Sequence, residues 1–136
     1  MGVLVDSNIL LDLINGDDTW LAWSRDQVMR LAGDEPLVIN QMVYAEISPS
    51  FDSLSDLDTW LDRSFFIREE LPWSAGFLAG QAFVEYRRRG GTRRSPLPDF
   101  YIGAHAQVTG LTLLTRDADR YQNYFPEVNL IYPEQN

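Results

Sequence analysis

Asp6 closes the first apolar run of the chain, Gly2-Val-Leu-Val-Asp6, and three further acidic residues stand where they can join it. They are Glu46 in Tyr44-Ala-Glu46-Ile47, Asp99 in Leu97-Pro-Asp99-Phe-Tyr-Ile-Gly103, and Asp117 in Leu113-Leu-Thr-Arg-Asp117. Four carboxylates meeting at one edge of a sheet repel strongly unless a hard divalent cation neutralises them. The pattern therefore predicts metal-assisted chemistry, and phosphodiester hydrolysis is the reaction it suits best. One or two Mg2+ or Mn2+ ions can activate a water near neutral pH and stabilise the departing oxygen. Asp6 and Asp99 are the expected direct ligands, because both are short side chains at fixed backbone positions. Asp117 is expected either to ligate or to hold a ligating water. Glu46, with its longer reach, binds a second ion or orients the attacking water. Ser7, Asn8 and Thr115 are placed to donate hydrogen bonds that orient these carboxylates.

Each acid also has an ordinary reading. An Asp after a strand is commonly a turn or a cap, Asp99 after Pro98 is a good helix-start residue, and a helical Glu commonly faces solvent. Asp6 resists that reading, since it sits in a mostly apolar stretch and a buried carboxylate needs a partner. Asp12, Asp17, Asp18, Asp26, Asp34, Asp52, Asp56, Asp58, Asp62 and Asp119 are read as caps and surface. The lone His105, with no Cys in the chain, cannot build a zinc site of the usual kind and is expected to be packed or half-exposed.

The elements that must position these residues follow from periodicity and punctuation. Buried strands are expected at 3–6, 37–39, 65–68, 111–115 and 128–131. Helices are expected at 9–14 with Ser7 or Asn8 as cap, at 18–32 with Asp17 or Asp18 as cap, and at 41–48 after Asn40. Further helices are expected from Ser53 or Ser55 to Asp62 with Leu54, Leu57, Trp60 and Leu61 on one face, and at 73–88, 99–109 and 118–124. Gly76 and Gly80 have the spacing of close helix packing, and the four Trp are read as core or interface. Short apolar strands alternating with helices give an α/β fold, a mostly parallel sheet of about five strands covered on both faces. Ligands in such folds bind beyond the carboxyl ends of the strands, the edge to which all four acids can converge.

At 136 residues the chain is expected to form a single domain, 1–136. No apolar stretch approaches the ~20 residues of a membrane span, and the N-terminus shows no signal-peptide pattern. The absence of cysteine removes disulfides and thiolate chemistry and suits a cytoplasmic location. The net charge of −9 argues against a protein that merely coats nucleic acid, yet residues 87–94 carry five Arg and no acid. Arg87, Arg88, Arg89, Arg93 and Arg94, with Arg116, are expected to hold a nucleic-acid backbone, since guanidinium forks phosphate bidentately. The competing reading of this segment is a solvated, mobile loop.

Taken together, Val3-Leu-Val-Asp6-Ser-Asn-Ile-Leu-Leu-Asp12, Glu46, Leu97-Pro-Asp99-Phe-Tyr-Ile-Gly-Ala-His-Ala106 and Leu114-Thr-Arg-Asp117 resemble the PIN domain, in the VapC-type toxins of type II toxin–antitoxin pairs. The resemblance covers nearly the whole chain, with four motifs in order. It implies a PIN-like three-layer α/β/α sandwich and a Mg2+- or Mn2+-dependent endoribonuclease acting on RNA. Asp6, Glu46, Asp99 and Asp117 match the family's acidic positions. It also implies a homodimer and inhibition by a cognate antitoxin that binds over the active site. The Arg-rich approach to Asp99 is more pronounced than the usual pattern.

Other folds and roles compete with this reading. Receiver and haloacid-dehalogenase domains also place Asp at strand ends but normally hold the phosphoryl group with a Lys, and this chain has no Lys. A dinucleotide-binding domain needs a Gly-rich turn after the first strand, where this chain has Asp6-Ser-Asn8. The alternative that survives is a non-catalytic PIN-like module that grips protein or RNA.

Overall fold

Apolar runs of three residues, too short to alternate, must be buried on both faces, and the sheet shows why. The computed structural model describes residues 2–134. Within them, β1 (Val3–Val5), β2 (Leu37–Ile39), β3 (Phe66–Arg68), β4 (Thr112–Leu114) and β5 (Leu130–Ile131) form one sheet in the order β3-β2-β1-β4-β5, every pair parallel. β1 and β2 are wholly buried. The helices are α1 (Ser7–Asn15), α2 (Leu21–Ala32), α3 (Gln41–Ile47), α4 (Leu54–Asp62), α5 (Trp73–Arg88), α6 (Pro98–Thr109) and α7 (Asp119–Tyr124), with a 3-10 turn at Ser48–Ser50. Right-handed crossovers put α1–α4 on one face of the sheet and α5–α7 on the other, giving the expected three-layer sandwich. No helix among the described residues is long and apolar enough to cross a membrane.

The chain steps outward from β1 through β2 to β3, then returns across the sheet to β4 on the other side of β1. The crevice beyond the ends of β1 and β4 is thus the switch point where open parallel sheets bind ligands. Asp6 and Thr115 are the first residues past those two ends.

Several local expectations are corrected. The first helix begins at Ser7, and Asp6 itself is its cap, accepting the Ser7 N–H at 2.7 Å. The second begins at Leu21 rather than 18. Asp17 instead accepts the Thr19 and Trp20 N–H groups, a turn that uses up the residues expected to be helical. Asn40 caps α3 and Ser53 caps α4 as the residue types suggest. Leu54, on the same helical face as Leu57 and Leu61, is nevertheless 70% exposed, because it opens α4 one turn before the core contact at Leu57.

Asp12 is the largest correction. It is buried, not surface, and Arg116 grips it bidentately at 2.8 and 2.9 Å while Ser24 donates a further hydrogen bond. Arg116 also lies over the Trp20 ring. This pair ties α1, α2 and the end of β4 together, so the Arg116 guanidinium is already committed within the fold. Removing Arg116 would leave the buried Asp12 charge unpaired, at a cost of ~3–5 kcal/mol.

α5 is apolar on two opposite sides. Ala75, Ala79 and Ala82 are buried against the core. Trp73 is 96% exposed and Phe77 70%, with Val84 also exposed, and all three fall on the outer face by helical spacing. The expected close packing at Gly76 and Gly80 does not occur within the chain, where a Cβ at either glycine would meet nothing.

Candidate active site

The site grows from Asp6. At the end of β1 its carboxylate is buried and takes hydrogen bonds from the Ser7 N–H, from Thr115 Oγ1 at 2.8 Å and from the Tyr121 hydroxyl at 2.9 Å. Ser7 Oγ reaches the other way and donates to Glu46 Oε1 at 3.0 Å. The Tyr121 hydroxyl also lies 3.4 Å from Asp99 Oδ1. Asp6, Glu46 and Asp99 are thereby brought together around Ser7 and Tyr121, from α1, α3, α6 and α7. Asp117 is exposed at the rim, where its N–H donates to Thr115 Oγ1 at 3.1 Å. Asn8 supports the same corner, its Nδ2 reaching Thr115 Oγ1 at 3.4 Å and its Oδ1 accepting the Arg116 N–H.

The electrostatics are those of crowded acids. Burial pushes the Asp6 carboxyl above its ordinary range, against the pull of its hydrogen bonds from Thr115, Tyr121 and Ser7. Burial raises Glu46 as well, and the charges of Asp6 and Asp99 add to it. Asp99 is pushed up to about 6 by burial, then by Asp6 and by Asp117, with Arg120 and Tyr121 opposing. The Tyr121 phenol is held well above its usual range by burial and by the Asp6 and Asp99 charges, so it remains a proton donor.

Sequence reasoning missed two side chains at this site. Tyr121 bridges two of the acids, and Arg120 Nε lies 3.5 Å from Asp99 Oδ2 with its guanidinium against the Tyr86 and Phe100 rings. The available signal was spacing, since a helix begun after Asp117 returns residues 120 and 121 toward the strand ends.

Whether these residues suit a divalent cation depends on donors and charge. All are oxygen donors of the kind Mg2+ and Mn2+ take, and their mutual repulsion is the cost a cation would remove. Among the described residues, no group of three or more Asp, Glu, His or Cys side chains is gathered closely enough to hold an ion as it stands. Part of the compensation comes instead from the Tyr121 proton and from Arg120. The donor set therefore fits a hard cation chemically, and Arg120 and Tyr121 orient Asp99 and Asp6.

An all-parallel sheet in this order, with an acidic cluster beyond its β1–β4 crevice, defines a class of α/β sandwich. The sequence profile of the PIN domain matches residues 3–126, and the chain belongs to that family. Solved structures of similar fold include a chain of the VapBC2 complex of Rickettsia felis bound to a promoter DNA fragment, with TM-score 0.74, 20% identity, and 98% of this chain and 100% of that one covered. A toxin–antitoxin complex from Klebsiella pneumoniae gives TM-score 0.71 and 20% identity over 99% and 100% of the two chains. FitAcB from Neisseria gonorrhoeae gives 0.64 and 16% over 95% and 96%. No curated protein sequence matches the chain.

The raised carboxyls make a stability prediction. A carboxyl whose pKa is higher in the folded state favours folding at low pH, and that contribution is lost as pH rises through the folded value. For Asp99 the loss falls between about 4 and about 6. Asp99→Asn should therefore stabilise the metal-free protein at pH 7 and make no difference below pH 4. With screening allowed for at a side chain 35% exposed, the gain is ~1 kcal/mol, or about 4 °C in melting temperature. Thermal melts in EDTA at both pH values check it, and a destabilised variant at pH 7 would contradict the account.

Proposed function

We propose that this chain is a divalent-metal-dependent endoribonuclease and the toxin of a toxin–antitoxin pair. The observation that carries the reading is the gathering of Asp6, Glu46 and Asp99, all with raised pKa values, at the switch point of a PIN fold. A bound Mg2+ or Mn2+ ion would activate water and stabilise the leaving oxygen. Asp6 and Asp99 would hold it, with Glu46 and Asp117 completing the acidic set. Ser7, Thr115 and Tyr121 fix the orientation of Asp6, and Ser7 fixes that of Glu46. Two structures of similar fold, the Rickettsia VapBC2 complex and the Klebsiella toxin–antitoxin complex, support an antitoxin partner, and the cytoplasm is the compartment such a pair would share. The non-catalytic module has no need for acids held at such cost. The purified protein should cut RNA in Mg2+ or Mn2+, stop in EDTA, and lose ~100- to 1,000-fold in rate as Asp6→Asn, the scale of a lost charge-stabilising group. Full activity in that variant would remove Asp6 from the chemistry.

The arginines divide into two groups. Arg89 binds Glu85 at 3.0 Å and lies over the Tyr124 ring, Arg88 faces Glu85, and Arg87 donates to the Arg93 carbonyl. The loop is not free: the Tyr86 hydroxyl accepts the Thr92 and Arg93 N–H groups, and Gly91 lies so close to the Tyr86 ring that no side chain would fit. Among the described residues, Arg93 and Arg94 have no side-chain partner. They are the best placed to grip phosphate on the approach to Asp99. Replacing both with Ala should lower the salt slope of RNA binding by ~1.4, at ~0.7 per phosphate contact on a single strand. An unchanged slope would return the loop to a structural role.

A homodimer fits the outer stripe of α5. Trp73, Phe77 and Val84 offer an apolar face that a second copy can cover across a two-fold axis, with Gly76 and Gly80 letting the backbones approach. Sedimentation should show a dimer that Phe77→Glu splits; a monomeric parent protein would discard this arrangement.

A further inference from the structure

The strand register places four residues in a row along the carboxyl edge: Thr115 after β4, Asp6 after β1, Asn40 after β2 and Glu69 after β3. Neighbouring strands are ~4.8 Å apart, so Glu69 stands about 10 Å along the edge from Asp6. There a cleft of about 430 Å3 opens between the ends of β2 and β3 and the helix α3. Its size is that of a small-ligand site.

Two lining residues of the cleft, Asn40 and Glu69, belong to an aligned polar chain that runs through the buried His105. Asn40 Oδ1 accepts the Val43 N–H at 3.0 Å, which turns its Nδ2 toward His105 Nδ1, also at 3.0 Å. The amide must then donate, so the ring carries its proton on Nε2. That proton points at Glu69 Oε1, 3.4 Å away. Both Asn40 and His105 are buried, and burial lowers the His105 pKa, which keeps the ring neutral. Two buried polar side chains thus aim one carboxylate that is itself 42% exposed. Nothing in the acidic cluster at Asp6 uses this chain.

The walls narrow the choice of ligand. Arg68 lies over the Tyr44 ring, and Asp58 holds both the guanidinium and the Tyr44 hydroxyl at 2.8 Å. Glu69 and Glu70 repel a phosphate, and the fixed Arg68 disfavours a second cation. What remains is a planar, neutral group that stacks on a flat wall and offers adjacent N–H donors to a carboxylate. Among the RNA bases only guanine does so, through N1–H and the N2 amino group on its Watson–Crick edge. Adenine and cytosine each place a ring acceptor beside the amino group, and uracil flanks its single N–H with carbonyls.

We propose that this cleft is a guanine subsite, in which Glu69, aimed by His105 and Asn40, reads an unpaired guanine adjacent to the phosphodiester held at Asp6. The inference rests on the ribonuclease reading and supplies its base preference. The test is kcat/KM in Mn2+ on uridine hexaribonucleotides carrying one central guanine, inosine or adenine, for the parent protein and Glu69→Gln. Guanine should exceed adenine by at least ~10-fold, with inosine, which lacks the amino group, in between. Glu69→Gln should abolish the preference, bringing the guanine-to-adenine ratio of kcat/KM close to one. Equal rates on guanine and adenine, or a preference that survives Glu69→Gln, would overturn the subsite while leaving the nuclease standing. Loss of binding to an arginine-bearing peptide in Glu69→Gln, without any base preference, would assign the cleft to a protein and overturn it too. Cleavage of none of the three would remove the nuclease reading, and the subsite with it.

Discussion

The structure depends on keeping like charges close together out of water. Asp6 is buried, Glu46 and Asp99 lie within reach of its field, and burial works against the charged form of all three. No arrangement chosen for stability alone would gather these groups without a counter-charge. Much of the local structure reduces the cost: the Ser7 amide and hydroxyl, the Thr115 hydroxyl, the Tyr121 phenol and the Arg120 guanidinium all turn toward the acids. What they leave uncompensated would favour the uptake of a divalent cation.

The fold makes this possible by dividing tasks. Short strands buried on both faces fix the positions of their last residues, and the reversal of strand order opens a crevice beside β1. The Asp12–Arg116 pair braces α1 against the segment after β4, so the turn that carries Thr115 and Asp117 cannot drift from Asp6. Further along the same edge, past the ends of β2 and β3, the Asn40–His105–Glu69 chain gives a second polar feature its own buried support. The acidic cluster and the proposed base-reading cleft thus share one sheet edge.

The sheet, its helices and the acidic positions were readable from sequence because each has a local cause. Three-residue apolar runs, capping residues such as Asn40 and Ser53, and αL glycines at Gly16 and Gly110 act within a few residues. What stayed hidden depends on partners far apart in the chain. Asp12 looks like any helical surface acid until Arg116, 104 positions away, closes on it. Tyr121 reads as a core aromatic until its hydroxyl is found on Asp6, and His105 reads as filler until Asn40 and Glu69 flank it. The outer stripe of α5 stayed undecided between core and interface, since periodicity alone does not tell a face that packs inward from one left exposed.

The central claim is that the acidic cluster is completed by a divalent cation. The most direct measurement is the melting temperature of the protein at pH 7 with and without saturating Mn2+, beside Asp6→Asn. A ligand at 100 times its dissociation constant stabilises by ~2.7 kcal/mol. The account predicts a rise of several degrees in the parent protein and none in the variant. A parent protein whose melting is indifferent to Mn2+, or a variant that responds equally, would contradict it.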